Sequence, residues 1–446
     1  MLQKSITQFL SNEYKDFALY VLEGRAIPSV IDGFKITQRK ILHGCTLIWK
    51  TGSEKNLKIF QLSGFIAANV FYHHGDTSLS NAIINMAQKF KNNSPLLEED
   101  GQFGSLRSPQ AGAPRYIGTK LSNTFRLIYK DSDLLEFKQE EGESIEPTFF
   151  LPIVPTILIN GGSGIAVGFA SNILNRNIVD IIDACIKELN GKKYNTIKPS
   201  LNGFKGEYIQ DIENPKKWTI KGKFEKNNTS TVTINELPPS MTYEKYEEIL
   251  DKLVENKDIV SYDDNCKDNV NYVIKFTRNS LSSIEDDKLI KLLKLEESET
   301  ENFNTLDEFG KLKIFENVNE IITYFINFRL KYYQIRKDFI LNKLQYELKV
   351  LKNKGRFIKA ILDEKIIINN RKKDEIIIDI VNNSIEMIDD SYDYLLRMPI
   401  YSLTMEIFEK LKDDFKSKKE EIEKIKLLNI KDMYLEDLNE LKKKVS

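Results

Sequence analysis

Histidine, cysteine and tryptophan are scarce in this 446-residue chain, with three, three and two copies respectively. Cys45, Cys185 and Cys266 lie far apart, with no CxxC pair and no even framework. That spacing excludes a disulfide scaffold and a cysteine-built zinc site, and it suits a reduced, intracellular protein. No GxxxxGK[ST] segment occurs, so a P-loop nucleotide site is not expected. The opening Met1-Leu2-Gln3-Lys4 leads into polar sequence and offers no apolar signal core. An uninterrupted apolar run is missing too. The 29 residues from Pro147 to Asn175 carry no charge, but Pro147, Pro152, Pro155, Gly161, Gly162, Gly164 and Gly168 break them repeatedly. Short buried strands and tight turns are expected there, rather than a helix facing lipid, and no membrane partner is implied.

Net charge is nearly absent: 65 Lys+Arg against 66 Asp+Glu leaves −1, which argues against a uniformly basic surface. What is present is patterned. Hydrophobic residues reach 41%, enough for sizeable cores, and the length suggests roughly three domains at about 150 residues each. Residues 1–130 hold 16 Lys+Arg and 9 Asp+Glu, a local net of +7. The next sixteen, Asp131 to Glu146, hold Lys138 against seven acids, a net of −6, and read as a solvated acidic loop. Helical periodicity marks Ile6–Val21, Thr37–Trp49 and Leu79–Phe90, so the basic head is mostly helical. Residues 147–315 are mixed, with strands expected at Thr231–Ile234 and Val270–Phe276 and a helix at Tyr243–Val254. From Asn317 to about Lys365 apolar residues recur at three- and four-residue spacing, enough for a helix of roughly 70 Å. Glu406–Lys444 reads as a second long helix. Two such helices around a shorter segment, about 366–405, fit an antiparallel coiled-coil arm with a globular tip or an ordinary helical bundle.

Candidate chemistry concentrates in the head. Arg25, Lys35, Arg39 and Lys40 flank a turn punctuated by Pro28 and Gly33 and open a helix; phosphate oxygens are natural partners for such cations. His73 and His74 are adjacent, which places them on different sides of a helix and suits hydrogen bonding to phosphate or carboxylate better than a shared metal. Asp100–Ser105 and Pro109–Gly118 are rich in small residues and leave the backbone around Arg115-Tyr116 open to a bulky ligand. Among 19 tyrosines the ordinary role is an amphipathic core residue, and composition alone leaves Tyr116 in that class. Gly162-Ser-Gly164-Ile-Ala-Val-Gly168 misses the dinucleotide-binding spacing and reads as tight turns or close backbone approach. Asp131-Ser132-Asp133 is a carboxylate pair without a rigid strand to hold it, so no metal site is expected there.

Taken in order, Arg25–Arg39, His74-Gly75-Asp76, Asp100–Ser105, Arg115-Tyr116 and Asn160–Gly168 resemble the breakage–reunion subunit of type IIA DNA topoisomerases, the group containing the gyrase A and topoisomerase IV A subunits. The long helices after Asn317, and Leu395–Thr404 before the second of them, extend the resemblance over nearly the whole chain. It implies an α+β multidomain protein: an N-terminal arm and winged-helix domain over 1–146, an α/β tower domain over 147–315, and a coiled coil with a C-terminal dimer gate over 316–446. By the same resemblance Tyr116 attacks a phosphodiester of double-stranded DNA and leaves a 5′-phosphotyrosyl enzyme with a free 3′-hydroxyl. A free phenol is only about a thousandth ionised at pH 7, so neighbouring groups must activate it. Arg115 would stabilise charge on the phosphorane. Arg25 and His74 complete the implied catalytic set; Lys35, Arg39 and His73 would hold DNA, and Ile165 would wedge between base steps.

The match has departures. Bacterial members separate the two histidines with proline, Gln38 stands where a histidine is usual, and Thr77 and Asn81 replace a serine and an acid that hold quinolones. These features are similar to those of the medium subunits of T-even-like bacteriophage topoisomerases. The resemblance implies a homodimer that takes Mg²⁺ and ATP from a partner ATPase and metal-binding subunit, with no metal held in this chain. It also implies action in the cytoplasm, that of an infected host for a phage protein. The competing reading is a non-enzymatic architectural DNA-binding protein with a basic head and a coiled-coil arm; it leaves Arg115-Tyr116 unexplained.

Overall fold

The computed structural model describes residues 5–50, 55–267 and 269–445, so Met1–Lys4 lies outside the described residues. The chain divides into two compact units: Met1–Arg329 with Leu435–Ser446, and Leu330–Tyr434.

In the first unit three helices, Ile36–Ile48, Ile59–Asn69 and Asp76–Ala87, pack on one another. Their contact faces carry Ile41, Leu42, Cys45, Ile59, Leu62, Ile66, Leu79 and Ile83, all at most 1% exposed. The spacing within each helix is the three-to-four-residue repeat that puts apolar groups on one side. The middle helix was not expected. Apolar residues lie on both of its sides, including the exposed Phe60, and Ser63-Gly64 interrupt it, so no clear period survives. A short ribbon pairs Leu57–Lys58 with Gly118–Thr119 antiparallel. Ahead of these, Ile6–Phe9 and Lys15–Val21 are α-helical and Leu10–Tyr14 and Leu22–Ala26 are wider π turns. Together they cover the expected Ile6–Val21 helix.

The acidic segment corrects one expectation. Asp133, Glu136, Glu141 and Glu143 are exposed as expected, but the segment is not a loop: Phe137–Glu140 and Glu143–Pro147 form a hairpin that packs on the Ile36–Ile48 helix. Glu146 is 2% exposed and lies 2.8 Å from Lys40 Nζ, while Asp131 Oδ2 accepts a 2.7 Å bond from the fully buried Arg329. Buried charges need such partners, and the two ends of the acidic run supply them to cations on other elements. Asp131 is thus committed to an arginine. The uncharged stretch forms a buried turn, Thr156–Ile159, and a hairpin, Gly162–Ile165 with Ala170–Ile173, which is more exposed than expected. No described helix is long and apolar enough to cross a membrane.

Beyond it stand two antiparallel sheets. One runs Ser261–Asp264, Tyr272–Lys275, Thr231–Glu236, Lys223–Lys226; its core of Val232, Ile234, Tyr272 and Ile274 packs with Tyr246 and Leu250 of the Tyr243–Glu255 helix. The other runs Glu296–Thr300, Lys217–Lys221, Glu207–Gln210. Helices and strands are mixed, and the ladders between the named strands are antiparallel. Residues either side of 146/147 belong to one compact unit because long-range bonds tie them. Asn93 Nδ2 donates to the carbonyls of Arg176 and Ser200, each at 2.8 Å.

The long helix is Val318–Leu362, 45 residues and about 68 Å at 1.5 Å per residue. Within the second unit it runs antiparallel to Met405–Leu427: Lys337 Nζ donates to the carbonyls of Lys426 and Leu428 at 2.8 Å, and Glu347 pairs with Lys418 at 3.0 Å. The expected single helix over 406–444 is broken. Leu428 is extended, and Asn429 Oδ1 accepts from Lys431 N at 2.9 Å, starting the Ile430–Val445 helix afresh. Between the long helices, Phe357, Ile366, Ile380, Ile385, Tyr392 and Leu395 form a small separate core.

Candidate functional site

Tyr116 is 72% exposed, yet the backbone on both sides of it is held. Ile117 and Thr119 are buried, and Gly118 bonds Asp100 through both backbone groups, at 2.8 and 3.0 Å. A Cβ on Gly118 would fall 2.7 Å from Asp100 Oδ2 and 3.1 Å from the Leu57 carbonyl oxygen, so the approach of these segments is close. The Ile59–Asn69 helix begins against the same loop. Its first two N–H groups, of Ile59 and Phe60, donate to the carbonyls of Ile117 and Pro114 at 3.1 Å each. The loop thus satisfies donors that a helix start leaves unpaired, and Tyr116 projects from beside the positive end of that helix. Lys58 Nζ donates to the Tyr116 carbonyl at 2.7 Å. Arg115 is exposed and makes no ion pair among the described residues. The arrangement is a phenol held on rigid backbone with Arg115 next to it in the chain and Lys58 on its carbonyl, open to an anionic ligand.

A second cluster gathers Arg25, Lys35 and Ile165. The Gly162–Ile165 strand runs against the end of the N-terminal helical segment, where a Cβ on Gly164 would lie 1.8 Å from the Ala26 carbonyl oxygen and 3.2 Å from Lys35 Nζ. Glycine is required for that approach. Lys35 is half-buried, and burial lowers its pKa from the ordinary lysine value. Arg25 is exposed, its guanidinium 5.5 Å from the centre of the Tyr20 ring. Ile165 is 87% exposed at a hairpin tip, with Val167 and Phe169 also exposed beside it.

The histidines separate. His73 Nε2 lies 3.0 Å from Glu140 Oε1, and exposed His74 meets the Tyr72 ring edge-on at 5.3 Å. Neither makes a hydrogen bond, ion pair or ring contact with Tyr116 among the described residues. Arg39 is turned inward. It is 6% exposed and grips the fully buried Asp32 with Nε to Oδ2 at 2.8 Å and Nη2 to Oδ1 at 3.1 Å. Asp32 also accepts from the backbone N–H groups of Phe34 (3.1 Å) and Phe150 (2.9 Å), and so pins the turn that carries Lys35. As placed, Arg39 is a support of that turn and presents no free charge to a ligand.

Sequence reasoning missed Lys58, because its role depends on pairing with a strand sixty residues away. It also missed Arg107, whose Nη1 donates to the Cys266 carbonyl at 2.7 Å while Leu106 packs into the four-stranded sheet's core. No group of three or more His, Cys, Asp or Glu side chains able to hold a metal occurs among the described residues.

A family model for the DNA gyrase/topoisomerase IV A-type chain matches residues 25–440. The chain belongs to that family. The medium subunit of the DNA topoisomerase of enterobacteria phage T4 is 33% identical over 98% of this chain and 99% of its own length. DNA topoisomerase 2 of Plasmodium falciparum is 33% identical over 99% of this chain, and human DNA topoisomerase 2-alpha 32% over 93%. The chain spans only 34% and 30% of those two proteins, and nearly all of the phage protein. The crystal structure of the P. falciparum topoisomerase II DNA-binding, cleavage and re-ligation domain superposes with a TM-score of 0.87 at 33% identity, covering 98% of this chain and 64% of that one. For a member of the gyrase A family, the exposed Tyr116 on a rigid loop is the feature to explain.

Proposed function

We propose that this chain is the DNA-cleaving and rejoining subunit of an ATP-dependent type II DNA topoisomerase, an isomerase that relaxes or decatenates duplex DNA. The observation that carries the proposal is Tyr116, 72% exposed on backbone that its neighbours hold in place. The Tyr116 hydroxyl oxygen attacks a backbone phosphorus, its proton leaves, and the bond to the 3′-oxygen breaks, giving a 5′-phosphotyrosyl link and a 3′-hydroxyl. The same hydroxyl later attacks the link and restores both DNA and phenol. Arg115 offsets charge on the five-coordinate phosphorus. Arg25 and His74 assist at the scissile phosphate, with Lys35 and His73 on flanking phosphates and Ile165 wedged between base steps. Arg39 acts through the turn it holds.

The three packed helices with their short ribbon serve as the winged-helix reader within residues 1–146. The two antiparallel sheets within 147–315 serve as a tower beside the DNA. The antiparallel helices of 316–446 act as a coiled coil ending in a homodimer gate near 366–405, where Ile378, Ile400 and Tyr401 are exposed. On this reading the metal-binding carboxylates and the ATPase belong to a partner subunit, and the assembly works in the cytoplasm.

Mixing the chain with its partner subunit, Mg²⁺ and end-labelled duplex should give a covalent adduct on a denaturing gel, lost in Tyr116→Phe. Wild-type protein that binds DNA without forming an adduct would instead make it an architectural DNA-binding protein.

A further inference from the structure

An open recess of about 570 Å³ lies beside the Lys35 turn, between the outer side of the Asp76–Ala87 helix and the Asn160–Asn175 hairpin. Two lysines from distant parts of the sequence line it, Lys35 and Lys91. Neither makes an ion pair with a carboxylate among the described residues. Lys91 Nζ donates to the neutral Asn85 Oδ1 at 2.9 Å and stands 5.4 Å from the centre of the Phe90 ring. The Lys91 segment is anchored, because Asn175 Nδ2 donates to the Lys91 carbonyl at 2.8 Å. The one carboxylate bordering the recess, Asp32, is already neutralised by Arg39. The remaining polar lining is hydroxyl and amide: Ser78, Ser163, Asn85 and Asn175 among others. These groups can donate to an anion while the two ammonium groups supply opposite charge.

We propose that this recess seats a DNA backbone phosphate and that Lys91 is a DNA-binding residue of this chain. The inference rests on the cleavage-subunit reading above. The duplex would lie along Lys35, and the recess would take a phosphate on its flank. Protein crowding around both ammonium groups draws their pKa values below the ordinary lysine value. A bound phosphate oxygen reverses part of that cost by favouring the charged form. The contact is blind to sequence, and its signature is dependence on salt.

The test is fluorescence-anisotropy binding of a labelled duplex to the full chain at salt concentrations from 50 to 200 mM. Each phosphate contact given up should flatten the plot of log affinity against log salt by about 0.9. Lys91→Met should show that loss per protomer, narrowing the affinity change across this salt range about 3.5-fold. Lys91→Arg should restore the wild-type slope. Thermal unfolding of Lys91→Met should match wild type, since only an exposed bond to Asn85 and the ammonium's contact with the Phe90 ring are lost. An unchanged slope with Lys91→Met, with or without a fall in melting temperature, would overturn the inference and leave Lys91 a local support for Asn85. Failure of the wild-type chain to bind duplex at all would overturn the cleavage-subunit reading as well. The two failures are therefore distinct.

Discussion

Removing the Asp32 carboxylate should unseat the turn that carries Lys35. In Asp32→Ala the Arg39 guanidinium stays buried at 6% exposure with no counter-charge, a situation that costs about 3–5 kcal/mol. The Phe34 and Phe150 N–H groups lose their acceptor as well, adding about 1 kcal/mol each. A loss of about 5–7 kcal/mol is comparable with the whole stability of many domains. Arg39→Met leaves Asp32 with its two backbone donors and should cost less, about 3 kcal/mol. The double variant Asp32→Ala/Arg39→Met removes both buried charges together. It should recover part of the loss, with a coupling energy of about 2 kcal/mol in a double-mutant cycle. Urea unfolding followed by tryptophan fluorescence can measure all four proteins, because Trp49 is buried in the same head at 4% exposure. Coupling below about 0.5 kcal/mol would refute the reasoning. So would an Arg39→Met protein of normal stability whose DNA binding loses salt dependence, since Arg39 would then be meeting phosphate directly.

Other expectations follow from the same contacts. Arg107→Ala loosens the loop ahead of Tyr116 by removing its bond to the Cys266 carbonyl and its pairing with Asp264, while Leu106 stays packed; adduct formation should slow about 5–10-fold, worth about 1 kcal/mol, with duplex affinity nearly unchanged. A larger loss of affinity than of rate would point to DNA contact by Arg107 itself. Burial, working against nearby Glu146, holds His43 below the ordinary histidine value. Its neutral form suits the fold, so it destabilises the head as pH falls below about 6.5. His43→Gln should therefore flatten the melting temperature between pH 8 and 5, and an unchanged slope would exclude this histidine as the source. Hydrogen bonds from Lys130 and then Lys444 hold Glu440 down at about 2. Its contribution to docking the last helix is present above about pH 4.5 and lost as pH falls toward 2. A carboxyl NMR titration should show the low midpoint, and Lys130→Ala should move it back toward 4.5; a midpoint indifferent to Lys130 would contradict the contact.

Some of this protein could be read from residues alone, and the reasons are local. The 3.6-residue repeat after Asn317 predicted a helix within a few residues of Val318–Leu362, because helix contacts lie three and four positions apart. Alternating β-branched residues marked Thr231–Glu236 for the same kind of reason, at period two. The ordered motifs from Arg25 to Gly168 identified the family and singled out Tyr116, since their chemistry is carried by neighbours in sequence. Local signals failed where apolar residues covered two sides of a helix, as in Ile59–Asn69, or where one asparagine restarted a helix, at Asn429.

The direction in which each charge points was a matter for the tertiary structure. Arg39 and Lys35 sit four residues apart on one basic stretch, yet one is spent on a buried aspartate and the other borders an open recess. The acidic run is solvent-exposed charge along most of its length, but at its ends Glu146 meets Lys40 and Asp131 meets Arg329, 198 residues away. Lys58 reaches the Tyr116 carbonyl across 58 residues, and Lys91 shares a recess with Lys35. Composition and periodicity report which groups a segment carries and which side they occupy. Whether a charge meets a partner or stays open to a ligand depends on what the fold brings within about 3 Å, and that distance is set by packing between remote segments.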